Sequence, residues 1–515
     1  MRKRRGRALR APLATAVSVA LCALSLGVVG GSSAHAVAGC QAGAASDFNG
    51  DGVTDVAIAD PEATVSGRAE AGLVRIVYGG GKGTTAISQD SEGVPGASEA
   101  GDRYGHALAV YDANRDGCSD LVVGIPYEDL EDKADAGLVH VLHGAPGGLN
   151  TGPKVTEYLQ GKGSGSLASA TYEPGDWLGY SLAAGHTASG EPYLVIGVPG
   201  EDLGAVADAG GVHYLRGSVN RAINQETPGV SGVAERDDRF GYAIAASPHH
   251  LAIGNPGEAI GAETFSGGMQ LHRHTLNGDG IPAPVAGVHQ DAPGINGLAE
   301  TGDQFAASLA AVPYRPSGAS SANHTLVAVG VPGEDLTTGE DAGRVVVLEV
   351  TASGTVRQQA DIHQSYAAVT GVGEDGDYFG QHLTAVNTAP SAVSTADTVL
   401  LAVGIPGEDL GEAADAGAVQ VFPMAGEPGS ADVWLEKGMH GVPGGYGPGE
   451  YVGTSLAATA GRLYVGVPYG PADAHGVYGV PWRNLTSGGT AAVSSWRPGE
   501  GGIPADHTAF GAVVR

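Results

Sequence analysis

The sequence has few basic side chains: Lys and Arg together number 27, against 56 Asp and Glu, and the formal net charge is −29. Nucleic acids and anionic membrane surfaces attract basic proteins, so this balance argues against either of them as a partner. It agrees with the solvated acidic exterior of an exported protein, and with divalent cations or basic ligands. Charge therefore narrows the class of partner without identifying it.

Long apolar runs are also lacking, except for one at the N-terminus. There, a basic segment is followed by the run Ala11–Val29 and by a small-x-small cleavage site that ends at Ala36. This order is typical of a secretory signal peptide, so we assign residues 1–36 to the signal peptide and 37–515 to the mature protein. No other segment is long and apolar enough to span a bilayer. The sequence predicts a secreted or cell-surface protein without a transmembrane segment after cleavage.

Cysteine is rare: of the three, Cys22 leaves with the predicted signal peptide. Cys40 and Cys118 remain as an even pair in an oxidising compartment, and we predict a disulfide between them. Two free thiols are one alternative. The other concerns Cys40 alone, because the sequence Val37-Ala38-Gly39-Cys40 resembles a bacterial lipobox, which would place a lipid anchor on this cysteine.

Motifs of common enzymes are missing. There is no His-Glu-x-x-His zinc motif, no Gly-x-Ser-x-Gly nucleophile elbow and no phosphate-cradling glycine loop. The histidines are scattered, and the pair His249-His250 is interpreted as part of a loop. We therefore predict that the chain is not an enzyme. The many Asp and Glu pairs leave one alternative, an extracellular hydrolase or lyase that uses two carboxylates as acid and base.

Glycine, in contrast, is abundant, with 86 residues, and the apolar runs are short and numerous. This composition indicates an all-β protein with many turns. The most specific stretch is residues 47–55, where oxygen side chains stand at the first, third, fifth and ninth positions and Gly at the sixth allows a sharp turn. Hard oxygen donors in a tight loop suit Ca²⁺. The predicted donors are Asp47, Asn49, Asp51, Asp55 and the Val53 carbonyl.

The same pattern recurs at residues 112–120. The predicted donors of this second loop are Asp112, Asn114, Asp116, Asp120 and the Cys118 carbonyl. An apolar, strand-like run follows each loop, and the twelfth position of the first loop is Ile58 instead of the Glu of an EF-hand. An Asx-rich turn without metal is the alternative for both loops. Both loops carry four side-chain oxygens at equivalent positions, and this repetition favours calcium binding over a plain turn.

After residue 44 the chain is a tandem repeat of an aromatic-Gly step, an apolar run ending in Gly-x-Pro, an acidic loop and a last alternating strand. The clearest aromatic-Gly steps are Tyr104-Gly105, Phe240-Gly241, Phe379-Gly380 and Phe510-Gly511. The first unit lacks this step, and the C-terminal segment 509–514 supplies one. The starts and ends of the units therefore balance only if the chain closes into a ring, which leaves no unpaired sheet edge.

These steps, with Gly-Ile-Pro or Gly-Val-Pro at the end of each apolar run, resemble the FG-GAP repeats of integrin α-subunit heads and of related exported bacterial proteins. The resemblance implies an all-β, seven-bladed β-propeller closed by the C-terminal strand, with calcium loops between the first two strands of some blades. It also implies extracellular binding or cell adhesion, with the ligand on the face opposite the calcium loops. Similar repeats occur on a glycosylphosphatidylinositol-cleaving phospholipase, whose separate catalytic domain has no counterpart here. We expect a monomer whose partner is an unidentified extracellular protein or glycan.

Carboxylates also recur outside the calcium loops. The loop after each Gly-x-Pro carries acids such as Glu201, Asp202 and Asp208, and an Asp such as Asp102 precedes most aromatic-Gly steps. Both sets should lie on the face away from the calcium loops. One interpretation is a carboxylate ring that binds cations or a basic ligand, or that forms the active site of the enzyme alternative. The other is a hydrogen-bonded turn that every blade needs, and uniform repetition favours it.

Overall fold

The computed structural model describes residues 39–40, 45–429 and 431–515. The predicted signal peptide, residues 1–36, lies outside the described residues. The described chain forms seven antiparallel sheets of four strands each, which we call blades 1–7. Two short helices, α1 (Gly165–Ser169) and α2 (Trp482–Thr486), and a 3-10 turn at Gly79–Gly81 complete the regular structure. Of the helices in the described part of the chain, none has the length and apolarity that crossing a membrane requires.

The strands are numbered in chain order and are given for each blade from the inside of the ring outward. Blade 1 contains β28 (Val513–Val514), β1 (Val56–Asp60), β2 (Leu73–Val77) and β3 (Thr84–Ile87); blade 2 contains β4 (Ala107–Tyr111), β5 (Asp120–Ile125), β6 (Leu138–Leu142) and β7 (Thr156–Tyr158); blade 3 contains β8 (Leu182–His186), β9 (Pro192–Val198), β10 (Gly211–Arg216) and β11 (Val219–Ile223). Blade 4 contains β12 (Ala243–Ala246), β13 (His250–Asn255), β14 (Gly268–Leu276) and β15 (Pro282–Val288); blade 5 contains β16 (Ser308–Tyr314), β17 (His324–Val331), β18 (Arg344–Val350) and β19 (Val356–Ile362). Blade 6 contains β20 (Leu383–Asn387), β21 (Val399–Ile405), β22 (Ala418–Pro423) and β23 (Val433–Leu435); blade 7 contains β24 (Ser455–Ala458), β25 (Arg462–Val467), β26 (Gly476–Pro481) and β27 (Ser494–Trp496).

The core is divided among the interfaces between blades. Strands such as β5, β18 and β21 are buried along their whole length, because a neighbouring blade packs on each side of them. Their sequences are accordingly short continuous apolar runs bounded by turns, not alternating patterns. Seven apolar clusters result, one at each interface between consecutive blades, and the last joins blade 7 to blade 1.

The ring closes as predicted. The C-terminal strand β28 pairs antiparallel with β1, with Val514 opposite Ile58 and Val513 opposite Ala59. The N–H of Ala57 donates to the carbonyl oxygen of Arg515 at 2.8 Å, and the N–H of Arg515 donates back at 2.9 Å. The innermost strands of the seven blades contact one another in a complete cycle. The prediction of a seven-bladed propeller closed by the C-terminal strand is therefore confirmed.

The aromatic-Gly step is what lets adjacent blades approach. The aromatic ring enters the interface, and Tyr104, Phe240 and Phe379 are each 0% exposed. The Gly that follows Tyr104 has φ +93°, and a Cβ there would lie 2.9 Å from Val74 Cγ2 and 3.0 Å from Ala59 Cβ of blade 1. Only glycine accepts both this backbone conformation and this distance without strain.

Candidate functional site

The propeller has two distinct faces. In blade 2, β4 leads into residues 112–119 and β5 returns, so this loop lies at one end of the blade. The turn before β4 and the acidic loop after β5 lie at the other end. The same turn is hydrogen-bonded to the acidic loop of the preceding blade, since the N–H of Arg103 donates to the carbonyl oxygen of Glu70 at 3.0 Å. We call the first end the calcium-loop face and the second the FG face.

The two predicted calcium loops adopt the same structure in blades 1 and 2. In the first, the N–H of Asp51 donates to Asp47 Oδ1 at 3.0 Å and to Asn49 Oδ1 at 3.1 Å. In the second, the N–H of Asp116 donates to Oδ1 of the first and third residues at 3.2 and 2.9 Å. The side-chain oxygens of the first and third positions therefore converge on one point in each loop.

The last Asp of each loop ties it to the rest of its blade. Asp55 Oδ2 accepts the N–H of Phe48 at 2.9 Å and its Oδ1 accepts the N–H of Gly79 at 2.7 Å. Asp120 repeats this arrangement, with donors at 2.9 Å from the second loop position and 2.9 Å from Gly144. The last Asp of each loop thus fixes the end of the loop to its own blade through backbone hydrogen bonds.

The donor set fits Ca²⁺. Asp47 and Asp55 are each 1% exposed, and burial, with the neighbouring charges of Asp47 and Asp51, raises the pKa of Asp55 to about 6. A cation among these oxygens would relieve that repulsion. Asp51 Oδ2 lies 3.1 Å from Lys82 Nζ, which opposes part of the charge from within the chain. Calcium binding at both loops remains a prediction.

The predicted disulfide between Cys40 and Cys118 is present, with a Cα–Cα distance of 5.1 Å. It joins the segment before the first loop to the seventh position of the second. The two loops also bond directly, since the N–H of Ser119 donates to the carbonyl oxygen of Asp47 at 2.8 Å. Asp116 lies close to both sulfurs, but sulfurs bonded to each other do not bind a metal as thiolates. A sulfur in a disulfide cannot also carry a lipid, so the structure favours the disulfide over the lipobox alternative.

On the FG face, the Asp before the aromatic-Gly step is a turn residue. Asp102 is 2% exposed, and its Oδ2 accepts the N–H of Glu99, three residues earlier, at 2.6 Å. The same bond recurs at 2.6–2.7 Å for Asp176, Asp238, Asp303 and Asp377. Asp202 and Asp409 accept backbone N–H groups of their own loops, both at 2.9 Å. This is the hydrogen-bonded turn of the second interpretation.

Sequence reasoning missed a set of Gln–Glu pairs between consecutive blades. Gln89 Nε2 donates to Glu128 Oε2 at 2.6 Å, and Glu128 is 8% exposed. The pair recurs as Gln160–Glu201, Gln225–Glu258, Gln290–Glu334 and Gln364–Glu408. Burial raises the pKa of Glu128 and of Glu408 to about 8. The signal in the sequence was a Gln at nearly constant distance before the starts of blades 2–6; before blade 7, Lys437 takes this position and pairs with Glu450.

The exposed positions of the FG face vary although the framework repeats. The residue between the turn Asp and the aromatic has φ near +55° in blade after blade, a conformation that aims its side chain away from the packed interface. These residues are Arg103, Trp177, Arg239, Gln304, Tyr378 and Tyr451.

The residue after each aromatic-Gly step lines a cavity of about 470 Å³ on the ring axis. From blade 2 onward these are His106, Tyr180, Tyr242, Ala307, Gln381, Thr454 and Ala512.

Aromatic rings concentrate on one side of this cavity, in blades 2–4. Tyr180 lies 4.8 Å from His106, 5.0 Å from Tyr242 and 5.9 Å from Trp177, measured between ring centroids. Two guanidinium groups of the chain cover the outer rings, with Arg239 4.9 Å above Trp177 and Arg103 5.5 Å above Tyr127. We call these rings and guanidinium groups the aromatic arc.

Of the histidine pair, only His249 lies in the predicted loop. His250 does not lie in a loop: it begins β13, is 3% exposed, and its Nδ1 lies 2.8 Å from Thr325 Oγ1. Burial lowers its pKa to about 4, so it is a neutral part of the core. The turn between β12 and β13 spans only residues 247–249, so β13 begins at the second histidine of the pair.

Comparison with known proteins agrees with this architecture. The FG-GAP repeat family matches residues 41–77 and 104–142, within the two blades that carry the calcium loops. Integrin alpha-PS2 of Drosophila melanogaster is 30% identical over 205 residues, which cover 38% of this chain and 13% of that protein. Phosphatidylinositol-glycan-specific phospholipase D of Bos taurus is 34% identical over 171 residues, which cover 31% of this chain and 19% of that protein. The chain therefore spans less than a fifth of the length of either relative.

Among solved structures, the periplasmic gluconolactonase PpgL of Pseudomonas aeruginosa aligns with a TM-score of 0.44 and 12% identity, over 88% of this chain and 98% of that one. The fold and the repeats together define an all-β repeat protein with seven blades. In blades 1 and 2 its repeats match the FG-GAP repeat family, and part of the chain is similar to integrin alpha subunits.

The relatives correct one prediction. From the missing motifs we predicted that the chain is not an enzyme, yet relatives from several mammals are named as phospholipases D. These relatives contradict the prediction, because the absence of short local motifs does not exclude an enzyme.

Proposed function

We propose that this chain is an exported, calcium-stabilised propeller that binds an extracellular ligand on its FG face, as a recognition or adhesion module. The observation that carries the proposal is the uneven chemistry of that face. Six framework turns repeat almost identically, but the residues at their positive-φ position differ from blade to blade. A turn that only supports the fold does not need a different side chain in each blade. A binding surface does, because specificity needs particular side chains at particular places.

Calcium has a structural role in this proposal. The two loops lie on the face opposite the proposed ligand site, and each is bonded to the other and to its own blade. An ion in each loop would neutralise clustered carboxylates and hold the start of the mature chain against blade 2. It would thereby stabilise the blade that the C-terminal strand completes.

Chelation tests this role. Removing Ca²⁺ with EDTA should lower the melting temperature of the mature protein by at least about 5 °C, since a ligand that binds only the native state adds stability by mass action. Asp112→Asn should remove part of the calcium effect. Asp279→Asn is the matched control, because Asp279 sits in a plain Asx turn between β14 and β15. An identical melt with and without EDTA would count against the calcium sites.

Ligand binding is tested with a panel of glycans, matrix proteins and whole cells, each measured with and without Ca²⁺. Captured ligands should be lost in Trp177→Ala and Tyr242→Ala, which remove rings of the aromatic arc. Val393→Ala is the control, since Val393 is 40% exposed in the loop between β20 and β21 on the calcium-loop face. Retention of every ligand by the arc variants would refute the assignment of the FG face.

A second candidate function is hydrolysis of a phosphatidylinositol-glycan, favoured by the names of the mammalian relatives. Its test is release of a phosphatidylinositol-glycan-anchored reporter from vesicles by the calcium-loaded protein. Asp202 and Asp409 are poor choices for inactivating variants, because both hold backbone turns. Absence of release over many hours, with a known phospholipase active in parallel, would eliminate this candidate.

A further inference from the structure

A second group of aromatic side chains lies on the FG face, across the ring from the aromatic arc. A cavity of about 400 Å³ lies at the junction of blades 6 and 7. Three tyrosines line it, and Tyr378, Tyr451 and Tyr469 are 38%, 37% and 36% exposed. We call this cavity the tyrosine pocket. These three large rings come from separate loops and remain partly exposed to solvent in one pocket. Burial in the core, which would stabilise the fold, does not account for them.

The backbone holds these rings in place. Tyr378 and Tyr451 occupy the positive-φ position before the first strand of their blades, at φ 53° and 47°. Their N–H groups donate to the carbonyl oxygens of Asp341 and Asp415, both at 3.0 Å. The rings of Tyr451 and Tyr469 lie 6.2 Å apart at 87°, so they form two walls of a right-angled corner. The backbone thus fixes where Tyr378 and Tyr451 enter the pocket.

The polar groups of the pocket include both donors and acceptors. Tyr451 Oη donates to Asp415 Oδ2 at 3.4 Å, which leaves carboxylate lone pairs for a ligand. The Gln381 side chain, which can donate and accept, also lines the cavity. Thr454 Oγ1 is buried against the same cavity and has no hydrogen-bond partner among the described residues. An unpartnered buried hydroxyl is costly unless a ligand or water completes it.

The tyrosine pocket differs from the aromatic arc in one respect that bears on ligand chemistry. Arg103 and Arg239 cover rings of the arc, whereas within the described residues no Arg or Lys lies over the rings of Tyr378, Tyr451 or Tyr469. No cation of the described chain therefore competes with a ligand for these three rings, which are each a little over a third exposed.

We propose that the tyrosine pocket binds a neutral sugar ring, as the end of a glycan. This inference deepens the proposed function and depends on it. A pyranose has an apolar face of C–H groups, which packs against the negative face of an aromatic ring, and a rim of hydroxyls that both donate and accept hydrogen bonds. The pocket supplies ring walls together with Asp415, Gln381 and Thr454. An organic cation would use the rings and the carboxylate but would leave the donors unmatched, so the mixed rim favours the sugar.

The test uses the calcium-loaded mature protein and the methyl glycosides of glucose, galactose, mannose and N-acetylglucosamine. Saturation-transfer NMR should show binding of at least one glycoside, with the strongest transfer to ring C–H protons. Tyr451→Ala should weaken its affinity by about tenfold or more, because it removes a stacking wall, and Tyr451→Phe by about two- to fivefold, because it keeps the ring. Melting temperatures confirm that each variant is folded.

Tyr366→Ala is the matched control. Tyr366 is 40% exposed and its hydroxyl donates to Asp361 at 3.2 Å, as Tyr451 does to Asp415, but it lies outside the pocket. Its affinity for the glycoside should equal that of the parent. Choline is the opposing probe: binding of choline that Tyr451→Ala abolishes, without glycoside binding, would overturn the proposal in favour of a cation site.

The outcome separates this inference from the function on which it rests. If no glycoside binds but the ligand panel still finds a ligand that the aromatic-arc variants lose, the sugar site is wrong and the FG-face function stands. If neither experiment finds a ligand, both are wrong. Equal loss of glycoside binding in Tyr366→Ala and Tyr451→Ala would also overturn the assignment to the tyrosine pocket.

Discussion

At the scale of the residue, the surroundings of an acid decide what it does in this chain. Asp55 is buried among other carboxylates and is predicted to bind an ion. Asp102 is equally buried but serves a turn, because a backbone N–H meets it from three residues earlier. Glu128 accepts a hydrogen bond from an amide of the preceding blade and, with a pKa of about 8, carries a proton at neutral pH. The acidic composition alone could not distinguish these three roles.

Replacing Glu128 by Gln should stabilise the protein at alkaline pH. Burial raises the pKa of Glu128 from 4.5 to about 8, so over that range the native state keeps a proton that the unfolded state has lost. Stability from this group therefore falls as pH rises from 4.5 towards 8. The Gln side chain cannot ionise and still accepts from Gln89. We expect no change in melting temperature near about pH 5 and an increase of about 1–3 °C near about pH 8.5.

Glu131→Gln provides the comparison, because Glu131 is exposed in the same loop. Its melting temperature should follow that of the parent at both pH values. A lower melting temperature of Glu128→Gln at the alkaline pH would mean that the buried carboxylate is ionised and held by interactions that the amide cannot replace.

The sequence predicted the candidate calcium residues and the acidic turns of the FG face, but not the aromatic residues of that face. The calcium donors are close together in the chain, so their spacing alone reveals them. The tyrosine pocket brings together Tyr378 and Tyr451, which lie in different blades. Nothing in the sequence around Thr454 indicates that its hydroxyl lies at this cavity without a hydrogen-bond partner among the described residues. Contacts between blades depend on how the ring closes, and no local pattern encodes them.

At the scale of the element, the disulfide makes one unit of the two calcium loops. It joins residues 78 positions apart and fixes the entry of the first loop beside the second. The hydrogen bonds between Ser119 and Asp47 complete the connection. The entry of the first loop is therefore held to blade 2 both covalently and by hydrogen bonds.

The double substitution Cys40→Ser and Cys118→Ser should weaken both stability and calcium binding. Loss of a native cross-link of this size costs about 2–4 kcal/mol of unfolding free energy. Serine keeps the backbone carbonyl of position 118, so the donor set is formally unchanged and any loss of calcium affinity reports on loop positioning. Urea unfolding and calcium titration by calorimetry measure the two effects. Equal urea midpoints for parent and variant in the presence of calcium would show that the hydrogen bonds alone hold the loops.

At the scale of the whole molecule, counting the first and last strands of the repeats was enough to predict the ring. The first unit lacked an aromatic-Gly strand and the C-terminus had one to spare, and the structure pairs them as β1 and β28. The seventh apolar cluster, which includes Ile58, Val477 and Phe510, exists only because of this pairing. Counting the repeats could not give the length of the closing strand. The strand pairs with β1 over two residues, and further backbone hydrogen bonds of Arg515 and Gly511 extend the contact on either side.

Closure predicts that the last residues stabilise the entire propeller. Deleting residues 507–515 exposes one edge of β1 and opens the interface between blades 7 and 1, so unfolding should begin there and the melting temperature should fall by more than about 10 °C. Because the deletion could abolish folding, Phe510→Ala gives a graded test: this ring is 0% exposed, and its removal should cost about 3–5 kcal/mol in urea unfolding. Phe265→Ala, with a side chain that is 46% exposed, should cost far less. A deletion variant that unfolds cooperatively at the parent's urea midpoint would show that the ring does not depend on its closing strand.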